Sequence, residues 1–143
     1  MIAEERTGWR DPLISERHRA WGYDCPAVDI DFMVIEYDKA EPKALVEYKN
    51  QRTPVINLKK HPSIMAMVSL ANKAGLPAFI VRYADDFSWW KVAALNDEAM
   101  DHLHGNPTLM SEVEWVRTLY AVRGLTMPDG LAERIEALPP VIR

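Results

Sequence analysis

The stretch VDIDFMVIEYDKAEPKALVEYK, residues 28–49, decides how this chain folds. Residues 28–37 are dense in Val, Ile, Phe and Met and read as a β-strand. Residues 38–42 carry turn chemistry. Residues 43–49 read as a second strand, with Ala44, Leu45, Val46 and Tyr48 apolar on both faces. A strand apolar on both faces belongs inside a sheet.

Outward from this hairpin, the periodicity changes from two to helical. Residues 51–62 form a polar loop. Residues 63–74 are the clearest helix, because Ile64, Met67, Val68 and Ala71 recur on one side and Gly75 sits at the stop position. Ala78–Tyr83 is the next strand, and a strand–helix–strand unit of this kind crosses over right-handed to make a parallel pair. Residues 88–95 read as a further strand. Asn96 starts a short helix through His102. Residues 112–123 form an amphipathic helix with Val113, Val116, Leu119 and Tyr120 on one side, and residues 129–138 a last helix. Upstream, Ser15 caps a short helix that carries Glu16 and runs through Arg19 toward Trp21; Gly22 and Pro26 close it. The sum is an α/β or α+β layer fold, a mixed sheet flanked by helices.

The chain has 143 residues, 48% of them hydrophobic and 27% charged, with one cysteine. That length fits one domain. It is enough to bury about two thirds of the unfolded surface without a disulfide or structural metal. A lone Cys25 excludes an internal disulfide framework and suits a reducing compartment. No apolar run approaches the roughly 20 residues that span a bilayer, and residues 1–10 are too charged for a signal peptide. The expectation is a soluble, cytoplasmic protein.

The formal net charge of −4 stands against indiscriminate phosphate binding. The charge is unevenly spread, however. Residues 96–114 contain no Lys or Arg, whereas residues 43–61 carry Lys43, Lys49, Arg52, Lys59 and Lys60 against Glu47 alone.

Ionisable side chains also sit inside the hairpin, where a buried strand has none. Glu47 and Lys49 share one face by alternation, and so do Asp29 and Asp31. A loop at residues 38–40 sets Asp31 opposite Glu47 and Asp29 opposite Lys49. A loop at residues 39–41 sets Asp31 opposite Lys49. Directly opposed Cβ atoms lie about 5 Å apart, so either register gathers carboxylates beside an ammonium. Packed carboxylates repel unless protonated or neutralised by a cation. Such hard oxygen ligands suit Mg²⁺ or Mn²⁺, with the Tyr48 backbone carbonyl as a further donor. Asp29 fits a local turn hydrogen bond at the strand entrance as well as it fits a metal.

Asp31, a hydrophobic strand, a turn and then Glu47-Tyr48-Lys49 resemble the core of the PD-(D/E)xK phosphodiesterase superfamily, whose fold is restriction-endonuclease-like. The resemblance covers about residues 15–83, extending toward 95; residues 96–143 then stand as a C-terminal helical extension of the core. It implies that Asp31 is the metal-binding aspartate, Glu47 the second acidic ligand and Lys49 the catalytic lysine. Glu16, on the first helix, is where several such nucleases place another acid. Two departures stand out. No proline immediately precedes Asp29 or Asp31, which leaves the choice between them open. The helix after the lysine lacks the glutamine common in nuclease branches, leaving Ser63, Ser69 or Asn72 for that role.

By this resemblance the chain is a Mg²⁺- or Mn²⁺-dependent nuclease acting on DNA, with RNA as an alternative, structure-selective or weakly sequence-specific. Arg17, Arg19, Arg52, Lys59 and Lys60 would grip the backbone. A homodimer would allow cleavage of both strands. The competing expectation is a non-catalytic module of the same fold that binds nucleic acid or a protein partner. The remaining candidates read as structural. His102 and His104 are surface histidines, Cys25 is inert, Met65 and Met67 pack a helix, and Trp89 and Trp90 point to opposite faces of a strand.

Overall fold

A computed structural model describes residues 12–22, 27–55 and 57–139. Among these, helix α1 spans Pro12–Ala20, and strands β1 (Phe32–Glu36) and β2 (Glu41–Asn50) form the hairpin. A 3-10 turn at Leu58–Lys60 leads into α2 (Pro62–Ala74) and β3 (Ala78–Tyr83). Then follow β4 (Trp90–Ala94), α3 (Asp97–Met100), β5 (Thr108–Met110), α4 (Glu112–Val122) and α5 (Leu131–Glu136). The fold is α+β: a five-stranded mixed sheet, ordered β1-β2-β3-β4-β5, flanked by helices. Among the described strands only the β2–β3 pair is parallel. No helix of the described residues is long and apolar enough to cross a membrane.

The two-faced apolar pattern of β2 explains the layering. Ala44 and Val46 point to one side, where they join Phe79, Val81, Val92 and Trp115 in the larger core. Leu45 points to the other, where it meets Met67, Ala71 and Ala78. Helix α2 therefore covers one face and α4, through Trp115, covers the opposite one. The C-terminal part of the chain, expected as a helical extension, gives the sheet its fifth strand and the core its largest buried side chain.

Local chemistry sets the element ends. Gly75, at φ 70°, terminates α2 in a Schellman arrangement: its N–H donates to the Asn72 carbonyl and that of Leu76 to the Ala71 carbonyl. Ser111 and Glu114 close a capping box on α4. Asn96 caps α3 as expected.

Three expectations are corrected here. Helix α1 begins at Pro12, a residue suited to a first turn, so Ser15 lies inside it and is not its cap. Strand β1 starts at Phe32, where its ladder with β2 ends at Val46, and residues 27–30 are irregular and exposed. Trp89 falls one residue before β4; its carbonyl accepts from Ala84 N–H across the hairpin neck. Cys25 and Pro26 lie outside the described residues.

Candidate active site

The site is built on the C-terminal half of β2. This strand lies between β1 and β3, but the β1 ladder stops at Val46, so Glu47 and Lys49 have a strand neighbour on the β3 side and Asp31 on the other. Their carboxylate and ammonium meet at 3.0 Å, with side chains only 15% and 22% exposed. Alternation puts them on the α2 side, beyond the point where Leu45 is covered by Met67 and Ala71.

Asp31 completes the group from the bend just before β1. The ladder ends at Phe32↔Val46, which places Asp31 beside Glu47, as the 38–40 loop register requires. At the far end the pairing is Ile35↔Pro42, because a bulge between Val34 and Ile35 shifts the register by one. The Asp31 carboxylate accepts the Tyr48 backbone N–H at 3.1 Å. A strand residue presents its N–H and C=O to the same neighbour. The Tyr48 carbonyl therefore lies on the Asp31 side of β2, available as an oxygen donor.

The electrostatics are strained in one direction. Burial pushes the Glu47 carboxyl above its ordinary pKa, and the Asp31 carboxylate adds to the rise by repulsion and by a hydrogen bond to the protonated acid. The bond from Lys49 and its charge pull the other way without cancelling it. Two crowded carboxylates with a net upward shift form a donor set that a divalent cation would relieve.

The structure also assembles something the sequence reading missed. In register across three strands, Lys49 pairs with Arg82 and Arg82 with Lys91. Facing residues on adjacent strands point to the same side, about 4.8 Å apart. A row of three cations thus runs from the carboxylate pair across the sheet, ending at exposed Lys91. The Arg82 guanidinium donates to the Asn50 carbonyl at 3.1 Å and to the Thr53 carbonyl, fixing the loop that leaves β2. The signal was present in the alternation of AFIVRY and WKVAA, but only strand order aligns the two.

The other candidates scatter. Glu16, Arg17 and Arg19 are exposed on α1, and Asp29 is exposed ahead of β1. Among the described residues no three His, Cys, Asp or Glu side chains form a metal-binding group, so neither Glu16 nor Asp29 joins Asp31 and Glu47 in one. Arg52 is held by Asn50 Oδ1 at 3.1 Å and by Asp85 at 3.4 Å, in a clamp between the end of β2 and the β3–β4 turn. Lys59 and Lys60 are exposed on the 3-10 turn. Asn72 is bound to Asn96 Nδ2 near the start of β3, at the opposite end of that strand from Arg82. Ser63, in the first turn of α2, is half-buried. His102 packs its ring 6.5 Å from Phe79, and His104 is exposed.

Asp31, Glu47, Lys49 and Arg82 thus stand at the C-terminal ends of the parallel β2–β3 pair, where open α/β sheets form ligand crevices. No family model, curated protein or solved structure matches this chain.

Proposed function

We propose that the protein is a metal-dependent phosphodiesterase of the PD-(D/E)xK type, with a restriction-endonuclease-like core, that hydrolyses nucleic acid and DNA in the first instance. The observation that carries this reading is the meeting of Asp31, just ahead of β1, with Glu47 and Lys49 on the C-terminal half of β2, where burial and then the Asp31 charge raise the Glu47 pKa. Asp31, Glu47 and the Tyr48 carbonyl would hold Mg²⁺ or Mn²⁺, ions that take one or two carboxylates and fill their shells with water and phosphate. The bound cation would supply charge on the scissile phosphate and a water of lowered pKa.

The chain's own residues do the rest. Asp31 is oriented by the Tyr48 amide, so it needs no further partner to hold its position. Lys49 stands 3.0 Å from Glu47, where it can orient the attacking water and offset charge on the phosphate. Arg82 and Lys91 extend that positive field along the sheet, and Lys59 and Lys60 add to it from the loop before α2. The acidic helices lie elsewhere, so the net charge of −4 does not repel phosphate at this face. A homodimer fits the same reading. Strand β1 is a sheet edge with exposed Phe32, Met33 and Ile35, able to meet a second copy.

The test is cleavage of supercoiled and branched DNA with Mg²⁺ or Mn²⁺. Lys49→Ala should lower the rate at least about 10²-fold, the scale set by loss of one charge-stabilising or proton-transferring group. Circular dichroism should remain that of the parent. Persistent cutting by a clean Lys49→Ala preparation would remove the catalytic assignment. The second reading, a non-catalytic module, draws on the Glu47–Lys49 ion pair being already satisfied. It predicts no cleavage of DNA or RNA and no metal heat in calorimetry.

A further inference from the structure

On the face of the sheet opposite Glu47 and Lys49 lies a cleft of about 650 Å³ between the sheet, α4 and α5. This volume is in the range that buries a drug-sized molecule. Its floor is aromatic: Tyr48, Phe87, Trp90 and Trp115. These rings are ordered. Phe87 and Trp90 stack at 14° and 5.6 Å, Tyr48 meets Trp90 and Trp115 edge-on, and Trp115 Nε1 donates to the Tyr48 hydroxyl at 3.0 Å. Val116, Leu119, Ile135 and Leu138 form the apolar walls.

The ionisable lining has one sign. Asp86, Glu112 and Glu136 line the cleft, and among the described residues no Lys, Arg or His does. Hydrogen bonds from Ser88 hold the Asp86 carboxyl below its ordinary pKa. Glu112 is half-buried, and burial raises its pKa, so its carboxylate would gain from a cation beside it. Aromatic faces, Trp above all, attract cations and disfavour anions. The apolar walls and aromatic floor favour an apolar body, and the ring faces with the acidic residues favour a cation over an anion.

We propose that this cleft is a binding site for an organic cation with an apolar body, such as a hydrophobic ammonium or phosphonium. The cation sits over the Trp90 and Phe87 faces within reach of Glu112, and the apolar body fills the space between α4 and α5. This site is separate from the nuclease reading: Tyr48 is the one residue common to both, its ring in the cleft and its backbone beside Asp31; binding is measured without metal or nucleic acid.

Two ions of the same shape and opposite charge test it. Tryptophan fluorescence and calorimetry are followed while tetraphenylphosphonium or tetraphenylborate is added to the full chain. The phosphonium should bind saturably and at least about tenfold more tightly than the borate, the margin expected of a partly exposed cation–π and carboxylate site. Glu112→Gln should weaken phosphonium binding about fivefold and leave the borate unchanged or tighter. Val116→Trp should fill the cleft and abolish binding of both. Equal or tighter binding of the borate, or saturable binding of neither ion, overturns the proposal. So does unchanged phosphonium affinity in folded Glu112→Gln. That variant is nearly isosteric, so it decides the question even if Val116→Trp does not fold.

Discussion

At the scale of the residue, burial and charge act together on Glu47. Its carboxyl titrates above the usual carboxylate value because desolvation and Asp31 outweigh Lys49. The linkage sign follows. A carboxyl with a raised folded-state pKa contributes stability below its unfolded pKa, and that contribution is lost as pH rises through the folded value. The metal-free protein should therefore lose this contribution as pH rises from the ordinary glutamate value, about 4.3, through the raised one. Glu47→Gln should flatten that part of the profile in thermal melts taken across pH. Added Mg²⁺ or Mn²⁺ should reverse the loss in the parent, by about 2.7 kcal/mol at 100 times its Kd, and leave Glu47→Gln nearly unmoved. A melt indifferent to metal at neutral pH would remove the metal from the site. Glu47 and Lys49 were legible as a pair because strand alternation is local. The contact of Asp31 with Glu47 was not, because two loop registers placed Asp31 against different partners. The bulge at Val34 and Ile35 lets a four-residue turn coexist with the register that brings the two acids together.

At the scale of the element, Asn96 does more than start α3. Its Oδ1 accepts from Ala99 N–H and from Ala78 N–H, each at 3.0 Å. Its Nδ2 donates to the Leu76 carbonyl at 2.8 Å and to Asn72 Oδ1 at 3.1 Å. One side chain thus joins the end of α2, the start of β3 and the first turn of α3. Asn96→Ala should cost about 2–3 kcal/mol, since partly buried partners lose their only side-chain acceptor or donor there. Urea unfolding, read as a shift in midpoint at constant slope, checks this. A change under about 0.5 kcal/mol, as at an ordinary surface position, would mean that water replaces these bonds. The capping role was readable from an Asn ahead of an acidic turn. The three bonds to α2, β3 and the link between them were not, because they depend on how elements far apart in sequence meet.

At the scale of the whole molecule, strand order converts dispersed cations into a row. Lys49, Arg82 and Lys91 come from three strands and share no sequence spacing that marks them as a set. If phosphates run along this row, Lys91→Ala should weaken binding of a DNA duplex and reduce the slope of log K against log salt by about 0.9, one phosphate contact. Fluorescence anisotropy over a salt series, with Ca²⁺ replacing Mg²⁺ to suppress cleavage, measures that slope. An unchanged slope would move the phosphate path off β4. Lys91 suits this test because it is exposed, whereas Arg82 also holds the loop after β2. The sequence by itself determined the hairpin, the interior position of β2, the α2 crossover and the shared face of Glu47 and Lys49. All of these follow from short-range periodicity and from what a buried strand excludes. Only the tertiary structure decided the Asp31–Glu47 contact, the fifth strand, the Arg82–Lys91 extension and the aromatic cleft on the far face. Each of these is a relation between strands or layers, set by register and packing over long chain separations, and no local pattern encodes it.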